Sequence, residues 1–248
     1  MPKTLPKSLQ SFKYLTFDVV GTLIDFESGI KDCLAEIAAE AGTTVDGEAA
    51  LTLYREARYT DATGLFPDDL VRVYSVIAPK LGLPAGTQYG ERLRDSAASW
   101  TGFPDSRDAM ARLAKRYKLI AMTNARRWAF THFSRELGEP FFAGFTADDT
   151  GVEKPDPAFF QQVFEFVERD GGSKDDILHV AQSQYHDIGV SRRLGLTNCW
   201  IQRRHAQKGY GGTIEPAEFT EPDFHFRSMA ELADAVDAAA AEPKTASA

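Results

Sequence analysis

One strand, then about 75 residues of helix (27–101), then a regular alternation of helix and strand: that order leaves this chain few architectures. The first strand is read at 12–16, where Phe12, Tyr14 and Leu15 give a short aromatic and apolar run. It leads into Phe17-Asp18-Val19-Val20-Gly21-Thr22-Leu23, and Gly21 admits the turn that must follow. Helical signals then take over. Ile30, Cys33, Leu34 and Ile37 recur at three and four and form one apolar stripe. A second helix is read at 48–59. Pro67-Asp68-Asp69 opens a third, with Leu70, Val73, Tyr74 and Ile77 as its stripe and Pro79 stopping or kinking it. A fourth runs over 87–100. A block of helices straight after one strand is the pattern of a cap domain inserted over a site.

After a return linker at 100–104, the spacing predicts helix 108–117, strand 118–122 and helix 128–137. A short strand near Phe145, helix 157–168, strand 177–181, helix 187–194 and strand 198–201 follow. A polar loop, a strand at 224–226 and a helix at 229–240 complete the series. Ser228 is the expected N-cap of that last helix, with Glu231 in the capping-box position. Strands alternating with helices predict an α/β fold, a parallel sheet covered on both faces. Residues 1–11 and 242–248 are expected to be flexible termini.

The chain carries a formal net charge of -8, which argues against nucleic acid and anionic membrane as partners. Its two cysteines, Cys33 and Cys199, have no metal-ligand spacing and suggest no disulfide framework, so a cytoplasmic location is expected. The first residues lack the apolar core of a signal peptide. No apolar run reaches the ~18 residues of a membrane span.

Asp18 falls at the C-terminal tip of the first strand, the edge where open parallel sheets bind ligands. Alone, it reads equally as a turn cap or as a carboxylate nucleophile. Three later segments bear on the choice. Thr123-Asn124 closes the second core strand, Lys154 precedes the helix at 157, and Asp187 follows the strand ending at Ala181. Parallel neighbours would gather all three beside Asp18. A hydroxyl and amide can hold an anion, an ammonium can keep Asp18 ionised, and a second carboxylate can orient water.

This ordered set resembles the haloacid dehalogenase superfamily, over residues 12–235. The resemblance implies a Rossmann-like parallel-sheet core at 12–26 and 102–241, with the helical cap at 27–101. It implies a hydrolase in which Asp18, Lys154 and Asp187 are catalytic. Magnesium-dependent phosphatases of the superfamily carry an acid two residues after the nucleophile and another in the last motif. Here Val20 and Gln182 stand at those places. Missing carboxylates weaken a hard-cation site and remove the leaving-group acid, so no metal and no cofactor is expected. A leaving group that needs little protonation, such as halide, fits.

The L-2-haloacid dehalogenase branch is similar in lacking that acid. It has an aromatic-Arg pair early in the cap, matched by Tyr54-Arg55, and Ser-Asn where this chain has Thr123-Asn124. Gln182, Gln184 and His186 depart from its last motif, and Val20 replaces a Tyr often found there. The resemblance implies a small anionic organic acid as substrate, attacked at C2 by Asp18. Val19, Val20, Tyr54, Arg55, Thr123, Asn124 and Gln184 are the expected substrate-binding positions, with Arg55 and Asn124 at the leaving group. Tyr185-His186-Asp187 and Arg203-Arg204-His205…Gly209-Tyr210-Gly211 also resemble L-azetidine-2-carboxylate hydrolases, which open a strained ring at C2. A metal-dependent phosphatase and a non-catalytic binding protein on this fold are the remaining alternatives. Pairing through cap helices is compatible with a homodimer. The sequence assigns no role to Arg126 or Arg127.

Overall fold

The computed structural model describes residues 8–60 and 62–241. Six strands form one wholly parallel sheet. They are β1 (Tyr14–Phe17), β2 (Lys118–Thr123), β3 (Ala143–Thr146), β4 (Ile177–Ala181), β5 (Thr197–Ile201) and β6 (Phe224–Phe226). Their order is β3-β2-β1-β4-β5-β6, so the winding reverses between β1 and β4. That reversal opens a crevice beyond the strand ends.

Alternation along the strands explains two separate cores. Leu15 and Phe17, Leu119 and Ala121, and Leu178 and Val180 face one side. There they join Met110 and Leu113 of α5 (Ser106–Leu113), Phe133 of α6 (Arg127–Glu136) and Leu232 of α10 (Met229–Ala241). Tyr14, Ile120, Met122 and Ile177 face the other side, covered by Phe159, Phe160 and Val163 of α8 (Pro157–Arg169) and Val190 of α9 (Gly189–Arg193). A single-turn helix, α7 (Ala147–Thr150), follows β3.

The insertion after β1 comprises α1 (Phe26–Glu40), α2 (Gly47–Arg58), α3 (Leu70–Leu81) and α4 (Thr87–Ser96). Its helices pack chiefly on one another, and their buried Leu34, Leu51 and Val73 are continuous with the apolar cluster on the first face of the sheet. Two strands of linker join it to the sheet domain. Asp25 N–H donates to the Thr101 carbonyl at 2.9 Å and Phe103 N–H to that of Leu23 at 3.0 Å. Trp100 stands at this joint, its ring against Phe26, Phe66 and Phe133.

Four local expectations are corrected. Leu9–Ser11 form a 3-10 turn capped by Ser8, Leu9 is buried, and its carbonyl accepts the Tyr117 hydroxyl at 3.1 Å. The N-terminal segment is therefore docked from Leu9 onward. Residues 1–7 and 242–248 lie outside the described residues. Pro79 does not end α3. It lies inside the helix, two residues before Leu81, and Gly82 in the left-handed conformation (φ 67°) ends it. The helix expected at 187–194 is preceded by a π-helical turn, Gln184–Ile188. Ser228 Oγ caps α10 by accepting the Glu231 N–H at 3.1 Å, but Glu231 reaches back to Arg227 N–H rather than to Ser228.

Candidate active site

The sheet delivers Asp18 one residue beyond β1 and Asp187 six residues beyond β4, on either side of the winding reversal. Lys154 arrives from the segment between β3 and α8 and bridges them. Its Nζ is 3.0 Å from Asp18 Oδ1 and 2.6 Å from Asp187 Oδ1. All three side chains are buried. Asp18 Oδ2 accepts the Thr22 hydroxyl at 2.6 Å, and Thr22 Oγ1 in turn accepts the Gln182 N–H at 2.8 Å. Thr22 therefore commits its single proton to Asp18.

Two carboxylates share one ammonium, and they divide it unequally. Burial raises the Asp18 carboxyl above the usual carboxylate range, and Asp187 adds to the rise against the pull of Lys154. Asp187 is held down to about 2: burial works against this, but Lys154 and a hydrogen bond from His179 prevail. Lys154 is raised despite its burial, because both carboxylates favour its charge.

The floor opens into a cavity of about 500 Å³, lined by Asp18, Lys154, Asp187, Val20, Thr123 and Gln182 from the sheet domain. The roof is built by the cap: Tyr54 and Arg58 of α2, with Tyr59, Thr60 and Phe66 of the next loop. Glu153, His186 and the loop Gly212–Ile214 close its sides. Arg58 is the cavity's second cation, buried above Phe66, with Asp69 at 3.7 Å and Glu153 at 3.4 Å. Nη2 donates to Glu153 in a long hydrogen bond, and a guanidinium with five N–H groups keeps others for a ligand. Burial pushes the Tyr54 hydroxyl up to about 12 and the His186 imidazole down to about 4, so both are neutral near pH 7.

Several expected positions lie elsewhere. Arg55 does not line the cavity. It donates from Nη1 to the Gly211 carbonyl at 2.8 Å. On a helix, the residue that shares a face with Tyr54 is the one four positions on, Arg58, which the sequence reading missed. Gln184 also turns away, its Oε1 accepting the Thr220 N–H at 3.1 Å and its Nε2 buried with no partner among the described residues. The π-turn that contains it changes the angular step per residue and sends its side chain off the cavity. Asn124 lines the cavity, but both ends of its amide are engaged with the Lys154 backbone, at 2.8 and 2.7 Å. It holds Lys154 in place rather than facing a leaving group.

The Val19 side chain is in the core. Among the described residues, the amides of Val19, Val20 and Asn124 meet no protein acceptor, which leaves a row of donors beside Asp18. Arg126 pairs with Asp68 and Asp148, and Arg127 with Asp149, all away from the cavity. His205 lies in an exposed loop, near the Gln202 carbonyl.

A divalent cation finds a poor donor set here. Asp18 and Asp187 both give Oδ1 to Lys154, and Gln182 Oε1 accepts from Thr213 at 3.4 Å. Among the described residues, no three His, Cys, Asp or Glu side chains form a cation cluster.

A sequence family described as haloacid dehalogenase-like hydrolase matches residues 12–188. The chain belongs to that family. It is a hydrolase of the Rossmann-like α/β type with an inserted cap. Its relatives include the (S)-2-haloacid dehalogenase of Pseudomonas putida, 24% identical over 241 residues, covering 91% of this chain and 97% of the relative. The pyrimidine 5'-nucleotidase PynA of Streptococcus pneumoniae is 23% identical over 238 residues, with 91% and 95% covered. The fold matches the crystal structure of an L-2-haloacid dehalogenase with a TM-score of 0.73 at 22% identity, covering 92% of this chain and 99% of that one. No helix among the described residues is long and apolar enough to cross a membrane.

Proposed function

We propose that this hydrolase displaces a group from C2 of a small 2-substituted carboxylic acid, and that 2-haloacids are its substrates. The observation that carries this reading is the floor itself: a buried Asp18 between Thr22 and Lys154, with Val20 and Gln182 where a metal-dependent phosphatase needs acids. Such a floor offers a nucleophile without a leaving-group acid.

Asp18 attacks C2, the carbon–halogen bond breaks, and halide departs with the bonding pair. The row of free amides at Val19, Val20 and Asn124, with the Thr123 hydroxyl, receives the substrate carboxylate. Arg58, rather than Arg55, meets the departing anion from the roof. Water held by Asp187 then hydrolyses the aspartyl ester to a 2-hydroxy acid, with inversion at C2. The related (S)-2-haloacid dehalogenases and the shared fold support the same chemistry.

A single turnover on (S)-2-chloropropionate in heavy-oxygen water tests this. The expected result is one solvent oxygen in Asp18 and none in the lactate. Label in the lactate hydroxyl after one turnover, or release of phosphate from phosphomonoesters dependent on magnesium, overturns it. Azetidine-2-carboxylate is the control substrate for ring opening, which needs a protonated nitrogen in place of halide.

A further inference from the structure

Thr16 and His179 are polar side chains in a layer built of apolar ones. They lie directly opposite each other on β1 and β4, on the sheet face that carries Tyr14, Ile120 and Met122. Thr16 is 1% exposed and His179 0%, and the imidazole packs edge-on against Phe160 at 5.3 Å. Buried polar groups at such a place are costly unless every proton and lone pair is met.

Their bonds run in one direction. Thr16 Oγ1 is 2.9 Å from His179 Nδ1, and His179 Nε2 is 3.1 Å from Asp187 Oδ1. The Thr16 hydroxyl has no other partner among the described residues. A proton on Nδ1 alone would leave that hydroxyl without an acceptor and turn a ring lone pair toward Asp187. A proton on Nε2 satisfies all three groups: Thr16 donates to Nδ1, and Nε2–H donates to Asp187.

Asp187 Oδ1 thereby takes two donors, Lys154 and His179, while Oδ2 is buried with none among the described residues. We infer that Thr16 and His179 form a positioning relay that locks Asp187 Oδ1 onto Lys154 and reserves Oδ2 for the hydrolytic water. This rests on the proposed function. In the second half-reaction the water oxygen bonds to the Asp18 carbonyl carbon and one water proton moves to Oδ2. The bond from that carbon to the substrate oxygen then breaks. The departing alkoxide takes the proton from Oδ2; the second water proton stays on the Asp18 carboxyl, and its release to solvent restores the carboxylate. The first half-reaction, attack on C2, does not need Oδ2, so the relay acts on one half only.

Two measurements on the full chain test the relay. Nitrogen NMR of the substrate-free enzyme reads the His179 tautomer, with Nε2–H expected; Nδ1–H overturns the relay. Rapid-quench mass spectrometry of His179→Phe with (S)-2-chloropropionate is expected to show ester forming within about threefold of the wild-type rate and decaying about 100-fold more slowly, so that it accumulates. His179→Gln, which keeps a donor, is expected to recover about tenfold of that loss. Thr16→Val, which barely changes volume, is expected to slow decay by about fivefold without slowing formation. Equal slowing of both halves, or decay at the wild-type rate, overturns the relay. If wild-type enzyme forms no ester, the proposed function fails, and the tautomer alone then decides the relay.

Discussion

The floor and the roof of the cavity are built differently. The floor is made at strand ends, and its bonds are short: Thr22 to Asp18 at 2.6 Å, Lys154 to Asp187 at 2.6 Å, Asn124 to the Lys154 backbone at 2.7 and 2.8 Å. The roof is made by a separate helical unit, and its cation, Arg58, stands at 3.4 and 3.7 Å from its acids. A sheet edge fixes side chains to within a fraction of an ångström, because each strand is held by neighbours on both sides. A cap helix carries its side chains to the cavity from across a linker. In the proposed function, chemistry belongs to the rigid part and recognition to the adjustable one.

The sharpest break between the two lies inside the floor. Asp18→Asn is expected to lower turnover by about 10⁴-fold or more, measured as halide release. It is nonetheless expected to leave the melting temperature at pH 7 unchanged or higher, because burial makes ionised Asp18 a cost to the folded state. Lys154→Met is expected to abolish turnover and also to destabilise by about 3–5 kcal/mol, since two buried carboxylates lose their counter-charge. Denaturant titration of the two variants separates a strained nucleophile from a structural cation. A stability loss in Asp18→Asn as large as in Lys154→Met removes that distinction.

The roof predicts a different contrast. Arg58→Ala is expected to lower kcat/KM by about 10²–10³-fold, while Arg55→Ala changes it less than about threefold. Comparable losses in both would restore the adjacent pair read from the sequence. That pair shows where the sequence was legible. Asp18, Lys154 and Asp187 could be found because each follows an apolar strand or precedes a capped helix, and parallel strands bring such ends together. The sheet and the helical insertion were legible for the same reason, through period-2 and period-3.6 patterns. Arg55 and Gln184 were misplaced because direction on a helix depends on register: Arg58 shares Tyr54's face, and a π-turn diverts Gln184. The clamp of Asn124 on Lys154 joins residues 30 positions apart and has no local signature.

Titration sharpens the floor further. In the proposed mechanism Asp18 must be ionised to attack, and burial raises its carboxyl above the ordinary carboxylate range. The expected kcat/KM profile therefore falls about tenfold per pH unit below a single pKa above the ordinary carboxylate value. Asp187, held down to about 2, contributes stability that is complete above the unfolded carboxylate value and is lost as pH falls toward 2. His186 titrates near 4 and does not touch Asp18, so His186→Gln is expected to leave the acid limb in place. An acid limb that vanishes in His186→Gln would mean that the limb reports His186 and not the proposed nucleophile Asp18.

The smallest effect is expected where roof meets floor. The loop after β5 reaches the cap through Arg204, which pairs with Glu27 of α1 and with Glu48 of α2, and through Gly212 N–H, which donates to Glu27 at 2.8 Å. Gly212 and Thr213 of the same loop line the cavity. Glu27 thus fastens a cavity wall to the cap, and burial raises its carboxyl. Glu27→Gln keeps the shape and one acceptor but weakens the pairing with Arg204. The expected result is a rise in KM of about threefold to tenfold with kcat nearly constant, because roughly 1 kcal/mol of charge-assisted bonding positions the wall and not the nucleophile. A fall in kcat at constant KM would mean that the cap sets the geometry of attack as well as the fit of the substrate, and the division between rigid chemistry and adjustable recognition would then fail.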